Sequence, residues 1–277
     1  AARFASRGMT PALARKLLAS ALRLGTWPTD DTTVSQRWLA DIRNALFIPE
    51  LTLIERRVSP LDGFAKHLFA APDGSRFEAV AIPLAPPGAP PKTVVCVSTQ
   101  VGCAMGCAFC ATGRLGFTRN LAPWEIVAQV AQLRRASPHP VRGVVFMGMG
   151  EPLRNADAVL QAARILSEPC GLAISAKAIT VSTVGIVPGI RRLARERSPL
   201  RLIVSLTSAD PARRLAVMPV EQAYPSGELR AALAEYHAAT GRRVTLAWTL
   251  IAGFNTREED ARRLAANVLR VFAGFDY

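Results

Sequence analysis

Cysteine is scarce in this 277-residue chain and unevenly spread. Of five cysteines, four lie between positions 96 and 110, and only Cys170 stands apart. That crowding excludes a disulfide framework and points to a metal site in a reducing, cytoplasmic compartment, with Cys170 a buried or half-buried free thiol. Aromatic residues make up only 6%, which leaves no broad platform for stacking bases. Lysine is nearly absent, at Lys16, Lys66, Lys92 and Lys177. Long apolar runs are missing too. The best, Val244 to Phe254, is too short to cross a bilayer as a helix, so no membrane partner is expected.

What is abundant is arginine. Lys and Arg total 34 against 21 acids, a formal charge of +13. An excess of this sign suits a polyanion such as nucleic acid or an anionic membrane surface, although solvated arginines alone would also give it. The first 28 residues carry Arg, Ala and Leu but no acid. That composition is similar to a transit peptide, and an ordinary basic helix is the plainer reading.

Cys103-x3-Cys107-x2-Cys110 places three thiols within eight residues. Three is one short of the four cysteines that usually close a [4Fe–4S] cluster. The shortfall leaves one iron open to a substrate or cofactor. The alternative is a structural zinc knuckle, which needs a closed tetrahedron with Cys96 as fourth ligand. The six-residue gap to Cys96 is long for a zinc turn, and no second Cys or His pair follows.

The chain divides by pattern. Residues 1–83 read as a small N-terminal accessory domain. It has helices at Pro11–Leu24 and Ser35–Ala45, the latter with Trp38, Ile42 and Leu46 on one face. A hairpin follows, with arms Ala65–Ala70 and Arg76–Ile82 around Pro72-Asp73-Gly74. Residues 84–92 form a Pro-rich linker. From 93 to 277 strands and helices alternate. Strands are expected at Thr93–Ser98, Gly143–Met147, Ala178–Ser182, Arg201–Leu206 and Val244–Ile251. Helices are expected at Leu121–Arg135, Pro225–Ala239 and Thr256–Phe272, the last opening on a Thr256…Glu259 capping box. Alternation of this kind predicts an α/β fold with parallel strands and right-handed crossovers, an open sheet or TIM-type barrel.

In such folds the chemistry sits at the C-terminal ends of strands. The cysteine loop follows the first core strand. Gly148-Met-Gly150-Glu151-Pro152 follows the second, with glycines that allow close backbone approach and a carboxylate that can receive an ammonium group. Ser182 ends the third strand, and Ser205-Leu206-Thr207 ends the fourth. Each hydroxyl could bind a ligand or merely satisfy a turn.

The run Cys96-Val-Ser-Thr-Gln-Val-Gly-Cys103-Ala-Met-Gly-Cys107-Ala-Phe-Cys110-Ala-Thr-Gly, then Gly116-Phe-x-Arg119-Asn120-Leu121, resembles the RlmN/Cfr family of radical S-adenosylmethionine (SAM) RNA adenosine methyltransferases. Ser59-x-x-Asp62-Gly63-x-x-Lys66, Phe77-Glu78-Ala-Val-Ala-Ile-Pro83, Gly148 to Leu153, Ser182-Thr183-x-Gly185 and Arg214-Leu-x-x-Met218-Pro219 extend the likeness over nearly the whole chain from about residue 8. The resemblance implies a partial (β/α)6 barrel whose sixth strand is missing here. It implies a [4Fe–4S] cluster on Cys103, Cys107 and Cys110. It implies SAM held by Gly150, Glu151, Ser182, Ser205, Leu206 and Thr207. One SAM would methylate a cysteine near the family's C-terminus. A second would yield the radical that activates that methyl group for addition to carbon 2 of an adenine, or carbon 8 in the Cfr branch. Glu78 matches the family's proton acceptor. Cys96 matches the cysteine that resolves the protein–RNA adduct through a disulfide. The implied partners are large-subunit rRNA, with tRNA as a second candidate, and an electron donor such as flavodoxin; a monomer is expected.

Two departures stand out. Thr207 occupies a position where the family often has His. No cysteine follows Cys170, so the methyl-carrying cysteine, a SAM-contacting Asn and the sixth strand would lie beyond Tyr277. The chain thus reads as part of a longer protein. The competing readings are a radical-SAM enzyme with a peptide or metabolite substrate, and a zinc-stabilised or inactive RNA-binding relative.

Overall fold

The computed structural model describes residues 9–28 and 36–272, without the side chains of 37–38 and 267–272. In chain order the helices are α1 (Pro11–Leu24), α2 (Gln36–Ala45), α3 (Ala111–Arg114), α4 (Pro123–Ala136), α5 (Ala156–Ser167), α6 (Val187–Arg195), α7 (Pro211–Val217), α8 (Val220–Ala223), α9 (Ser226–Thr240) and α10 (Glu258–Phe272). The strands are β1 (Thr52–Val58), β2 (Ala65–Ala70), β3 (Arg76–Leu84), β4 (Lys92–Cys96), β5 (Gln100–Gly102), β6 (Phe117–Asn120), β7 (Val141–Phe146), β8 (Ile179–Thr183), β9 (Arg201–Ser205) and β10 (Val244–Ala247). All five expected core strands are present, as β4, β7, β8, β9 and β10. The chain separates into two compact units, one of residues 1–97, 122–144 and 160–178, the other of 98–121, 145–159 and 179–277.

In the first unit β1 to β4 run as an antiparallel meander. Alternate residues of β2 are buried, Ala65, His67 and Phe69, the period-2 pattern of a strand with one covered face. The Pro/Gly-rich stretch expected as a linker connects antiparallel neighbours, because β3 runs on to Leu84, opposite Lys92 at the start of β4. β1 is exposed along its whole length. That leaves it without the hydrophobic alternation by which a strand is read from sequence.

α1 begins where its sequence says it should. Thr10 caps it by accepting the Leu13 N–H at 3.2 Å, Pro11 fills the first turn, and Gly25 ends it with φ +74°, a conformation that favours glycine. Leu17 packs with Leu39 and Ile42 of α2, flanked by Leu13, Trp27 and Leu46. Trp38, expected on the same face, has its side chain outside the described set. α4 is closed by the Glu125 carboxylate, which accepts the Ala122 N–H at 2.7 Å.

In the second unit β8, β9 and β10 are parallel, with Ser182 opposite Ile203 and Ala247 opposite Ser205. Ile179, Val181, Leu202 and Val204 are buried. α6 and α9 pack together, joined at the surface by Arg191 and Glu235. β10 stops at Ala247, four residues short of expectation, where an irregular loop takes over. Glu259, expected to cap α10, pairs with Arg263 instead, and Asp260 accepts the Arg257 N–H at 3.2 Å. The two-stranded ribbon of β5 and β6 had no sequence signal, its strands being three and four residues long. No helix among the described residues is long and apolar enough to cross a membrane.

Gln132 of α4 acts as a side-chain substitute for a strand partner. Its Oε1 accepts the Leu51 N–H at 3.0 Å, and its Nε2 donates to the Leu51 carbonyl at 2.8 Å. Leu51 is 4% exposed, so water cannot replace both bonds. Gln132→Ala should cost about 2 kcal/mol of unfolding free energy, measured by urea denaturation. Glu50→Ala, which removes only a half-exposed ion pair with Arg135, should cost under about 1 kcal/mol.

Candidate active site

The ribbon of β5 and β6 forms the neck of the cysteine loop. Gln100 lies opposite Asn120 and Gly102 opposite Phe117, so residues 103–116 are an excursion from one hairpin. The neck is narrow. Gly102 has φ +75°, and a side chain there would collide with the Gly116 carbonyl. The Cys103 N–H donates to that same carbonyl at 2.7 Å, and the Cys110 N–H to the Cys107 carbonyl at 3.0 Å.

Cys107 is buried, and Cys103 and Cys110 are half-buried. Burial pushes the Cys107 thiol up to about 11, and negative charge on Cys103, Cys110 and Glu151 pushes the same way, while the Arg214 guanidinium opposes it. Cys103 is raised by burial first, then by Glu151 and Cys110. The three thiols and Glu151 are therefore close enough to feel one another. Neutral apo thiols of this kind become ligands on losing their protons to a metal. Among the described residues no three Cys, His, Asp or Glu side chains converge on a single ion. Three thiols on one loop fit the cluster's donor set.

Glu151 sits behind the loop. Its N–H donates to Gln100 Oε1 at 2.8 Å, and its carboxylate accepts from the Leu153 N–H at 2.9 Å and the Val184 N–H at 2.9 Å. Burial pushes its pKa up to about 7, against the pull of those two N–H groups. Gly150 makes the approach possible. At φ +97° a Cβ there would lie 2.5 Å from the Gln100 Cβ. Gln100 also donates to Asn120 Oδ1 at 2.8 Å, tying the glycine-glutamate turn to the ribbon. Asn155 donates to the carbonyls of Thr99 and Leu121, each at 2.8 Å.

The parallel register brings Ser182, Thr183 and Ser205 out at one end of the β8–β9 pair. Ser182, Ser205 and Leu206 are half-buried there. Thr207 is fully buried and has φ +59°, a left-handed conformation that is strained for a β-branched residue. Its Oγ1 has no hydrogen-bond partner among the described residues. The Thr99 Oγ1 is likewise without a partner among the described residues, and each such buried hydroxyl calls for an explanation. Asn255 holds Thr207 in place by donating to its carbonyl at 2.7 Å.

Two expected residues belong to the first unit. Glu78 lies on β3 opposite Leu68 and pairs with Lys66 at 2.9 Å. Cys96 ends β4 opposite Val80 and is half-buried. Gln100, Asn155, Arg214 and Asn255 were not singled out from sequence as site residues. Each is a polar residue that turns out to be buried, which no local pattern announces.

The "Radical SAM superfamily" profile matches residues 97–265. A "Probable RNA methyltransferase" of Myxococcus xanthus (strain DK1622) is 47% identical over 92% of this chain and 71% of its own length. The "Dual-specificity RNA methyltransferase RlmN" of Syntrophobacter fumaroxidans (strain DSM 10017 / MPOB) is 43% identical over 83% of this chain and 66% of its own length. This chain belongs to the RlmN-type radical SAM RNA methyltransferase family. A solved radical SAM methyltransferase from Sphaerobacter thermophilus superposes with a TM-score of 0.85 at 39% identity, covering 99% of this chain and 79% of the other. The α/β radical-SAM fold expected from the motifs is thus the fold found. The chain spans about two thirds of the length of these two curated relatives.

Two outcomes follow for the ligand-free protein. Glu151 titrates at its ordinary value when unfolded and near 7 when folded. Between those values the folded chain keeps a proton that the unfolded chain has lost. Stability is therefore greatest below about pH 4.5 as far as this group is concerned, and falls as pH rises to about 7, by on the order of 3 kcal/mol. Glu151→Gln should flatten that stretch of the pH–stability curve, read by thermal melts between pH 5 and 8. Thr207→Gly relieves backbone strain but loses buried side-chain packing and loosens the unfolded chain, so apo stability should change by less than about 1 kcal/mol in urea denaturation.

Proposed function

We propose that this chain carries the radical-SAM chemistry of an RNA methyltransferase that adds a methyl group to carbon 2 of an adenosine in large-subunit rRNA, with tRNA as a second substrate. The observation that carries the reading is the cysteine loop on its glycine neck, set beside the buried Glu151 and within reach of its charge. The name of the Syntrophobacter relative agrees with an RNA substrate.

Cys103, Cys107 and Cys110 would hold a [4Fe–4S] cluster. When bound, that cluster supplies the electron for reductive cleavage of SAM, and SAM supplies both the methyl group and the hydrogen-abstracting radical. The chain's own residues bind and orient. Gly150 lets the backbone pass close to the ligand. Glu151, already fixed by two backbone N–H groups, has lone pairs left for the SAM ammonium group. A positive charge beside it would draw its pKa back down, so binding of SAM and ionisation of Glu151 reinforce each other. Ser182, Ser205, Leu206 and Thr207 would complete the SAM site, with the Thr207 hydroxyl gaining the partner it lacks.

Glu78 is the residue assigned to accept the proton released as the adenine is rearomatised, and its ion pair with Lys66 holds its carboxylate in place on β3. Cys96 is assigned to resolve the covalent RNA adduct. Residues 1–83 form the accessory, RNA-contacting part, 84–92 the connection, and 93–277 the core. An excess of 13 positive charges draws phosphates to the surface. The protein would work in the cytoplasm as a monomer, with a reductant such as flavodoxin.

Anaerobic reconstitution with iron and sulfide tests the reading. About four irons per chain and a reduced-cluster EPR signal that shifts on adding SAM are expected. Stoichiometric zinc with no SAM response would overturn it. RNA affinity should fall by at least tenfold between 50 and 200 mM salt. Mass spectrometry of nucleosides from rRNA treated with a protein extended to include the family's C-terminal cysteine should show 2-methyladenosine; 8-methyladenosine would move the chain to the Cfr branch.

A further inference from the structure

Arg213 and Arg214 are neighbours on α7 with opposite fates. Arg213 lies against the Phe254 ring, 4.9 Å from its centroid. Arg214 is 0% exposed, and a buried guanidinium must find acceptors for a planar fork of donors. It finds them on three separate segments. Nη2 donates to the Val184 carbonyl, just past β8, at 2.6 Å. Nε donates to the Leu206 carbonyl, just past β9, at 3.2 Å. Nη1 pairs with Glu221 of α8. Glu221 in turn accepts the Ser226 N–H at 2.8 Å, at the start of α9.

The far end of α7 reaches the cysteine loop. The Val217 carbonyl accepts the Ala108 N–H at 2.9 Å, one residue beyond Cys107. Pro219 lies beside Gly106. One short helix thus grips the β8 and β9 loops through a side chain and the cysteine loop through its C-terminal carbonyl.

We propose that Arg214 is a positioning residue that holds the cysteine loop and the loops after β8 and β9 in one preassembled arrangement for a ligand that touches all three. This rests on the reading of those loops as a joint cluster and SAM site. Geometry makes the requirement specific to arginine. A guanidinium presents several donors in a rigid plane, whereas a lysine ammonium is a point charge that cannot span acceptors on three elements. Stability alone does not call for it, since apolar residues of similar volume often replace a buried ion pair without loss.

The test compares Arg214→Lys, the double variant Arg214→Met/Glu221→Gln, which leaves no buried charge, and Tyr236→Phe. The last removes a buried hydrogen bond to the Leu200 carbonyl in the same unit without touching the three loops. Deuterium exchange of the ligand-free proteins should show segments 104–110, 183–186 and 205–208 exchanging at least tenfold faster in both Arg214 variants and unchanged in Tyr236→Phe. After reconstitution, both Arg214 variants should keep the parent's iron content but bind SAM at least tenfold more weakly, with a diminished EPR shift. Should Arg214→Lys fail to fold, the double variant alone decides. Parental exchange, SAM affinity and EPR shift in the double variant would overturn the proposal, as would an equal loss in Tyr236→Phe. A parent chain that takes up no cluster and binds no SAM would instead overturn the reading of the site, and this inference with it.

Discussion

A charge taken out of water must be answered from several sides, and in the second unit the answers to Arg214 come from segments far apart in sequence. Val184, Leu206 and Glu221 have little in common except that each offers an oxygen to one guanidinium. Removing one partner of such a pair typically costs 3–5 kcal/mol, because the other charge is left buried and alone. The strand-end loops are thereby made interdependent. Glu151 extends the chain of dependence. It accepts from the Val184 N–H while Arg214 donates to the Val184 carbonyl, so the two peptide units flanking one residue past β8 are gripped, one by an acid and the other by a base.

The same region gives up stability elsewhere. Glu151 is buried with no full countercharge, Thr207 is strained, and the glycines at 102 and 150 hold backbones too close for any side chain. Each departs from local preference, in contrast to the cap and stop of α1 or the alternation of β2, and positive φ at a non-glycine residue recurs elsewhere only at Ala173 and Arg197 among the described residues. Concentrated exceptions of this kind are expected where a site is shaped for a ligand and not for the apo fold. The unsatisfied Thr207 hydroxyl and the raised Glu151 carboxyl are costs that a ligand with an ammonium group and hydroxyls is suited to remove.

Much of this was legible in the sequence. The five core strands, the bounds of α1 and the placement of the cysteine loop after the first of those strands follow from period and turn chemistry. What could not be read has physical reasons. β1 is exposed on both faces, so it lacks alternation. β5 and β6 are too short to carry a pattern. The connection at 84–92 was read from composition alone, and proline and glycine suit a hairpin connection as well as a linker. Arg213 and Arg214 are the same residue type in adjacent positions. One lies against an aromatic ring and the other anchors three loops, because successive residues of a helix point about 100° apart, and nothing local says which direction is inward.

Thr207 shows how these constraints combine. The Leu206 carbonyl is held by Arg214, and the next carbonyl, that of Thr207, is held by Asn255 from the loop after β10. Asn255 itself is fixed by donating to the Thr249 carbonyl and accepting the Ile251 N–H, each at 2.7 Å. With two successive peptide carbonyls pinned by two buried side chains, the backbone between them has little freedom to relax. The positive φ at Thr207 is therefore imposed from outside the residue. That accounts for a strained backbone at a threonine, because the surrounding loops and not the residue dictate the conformation.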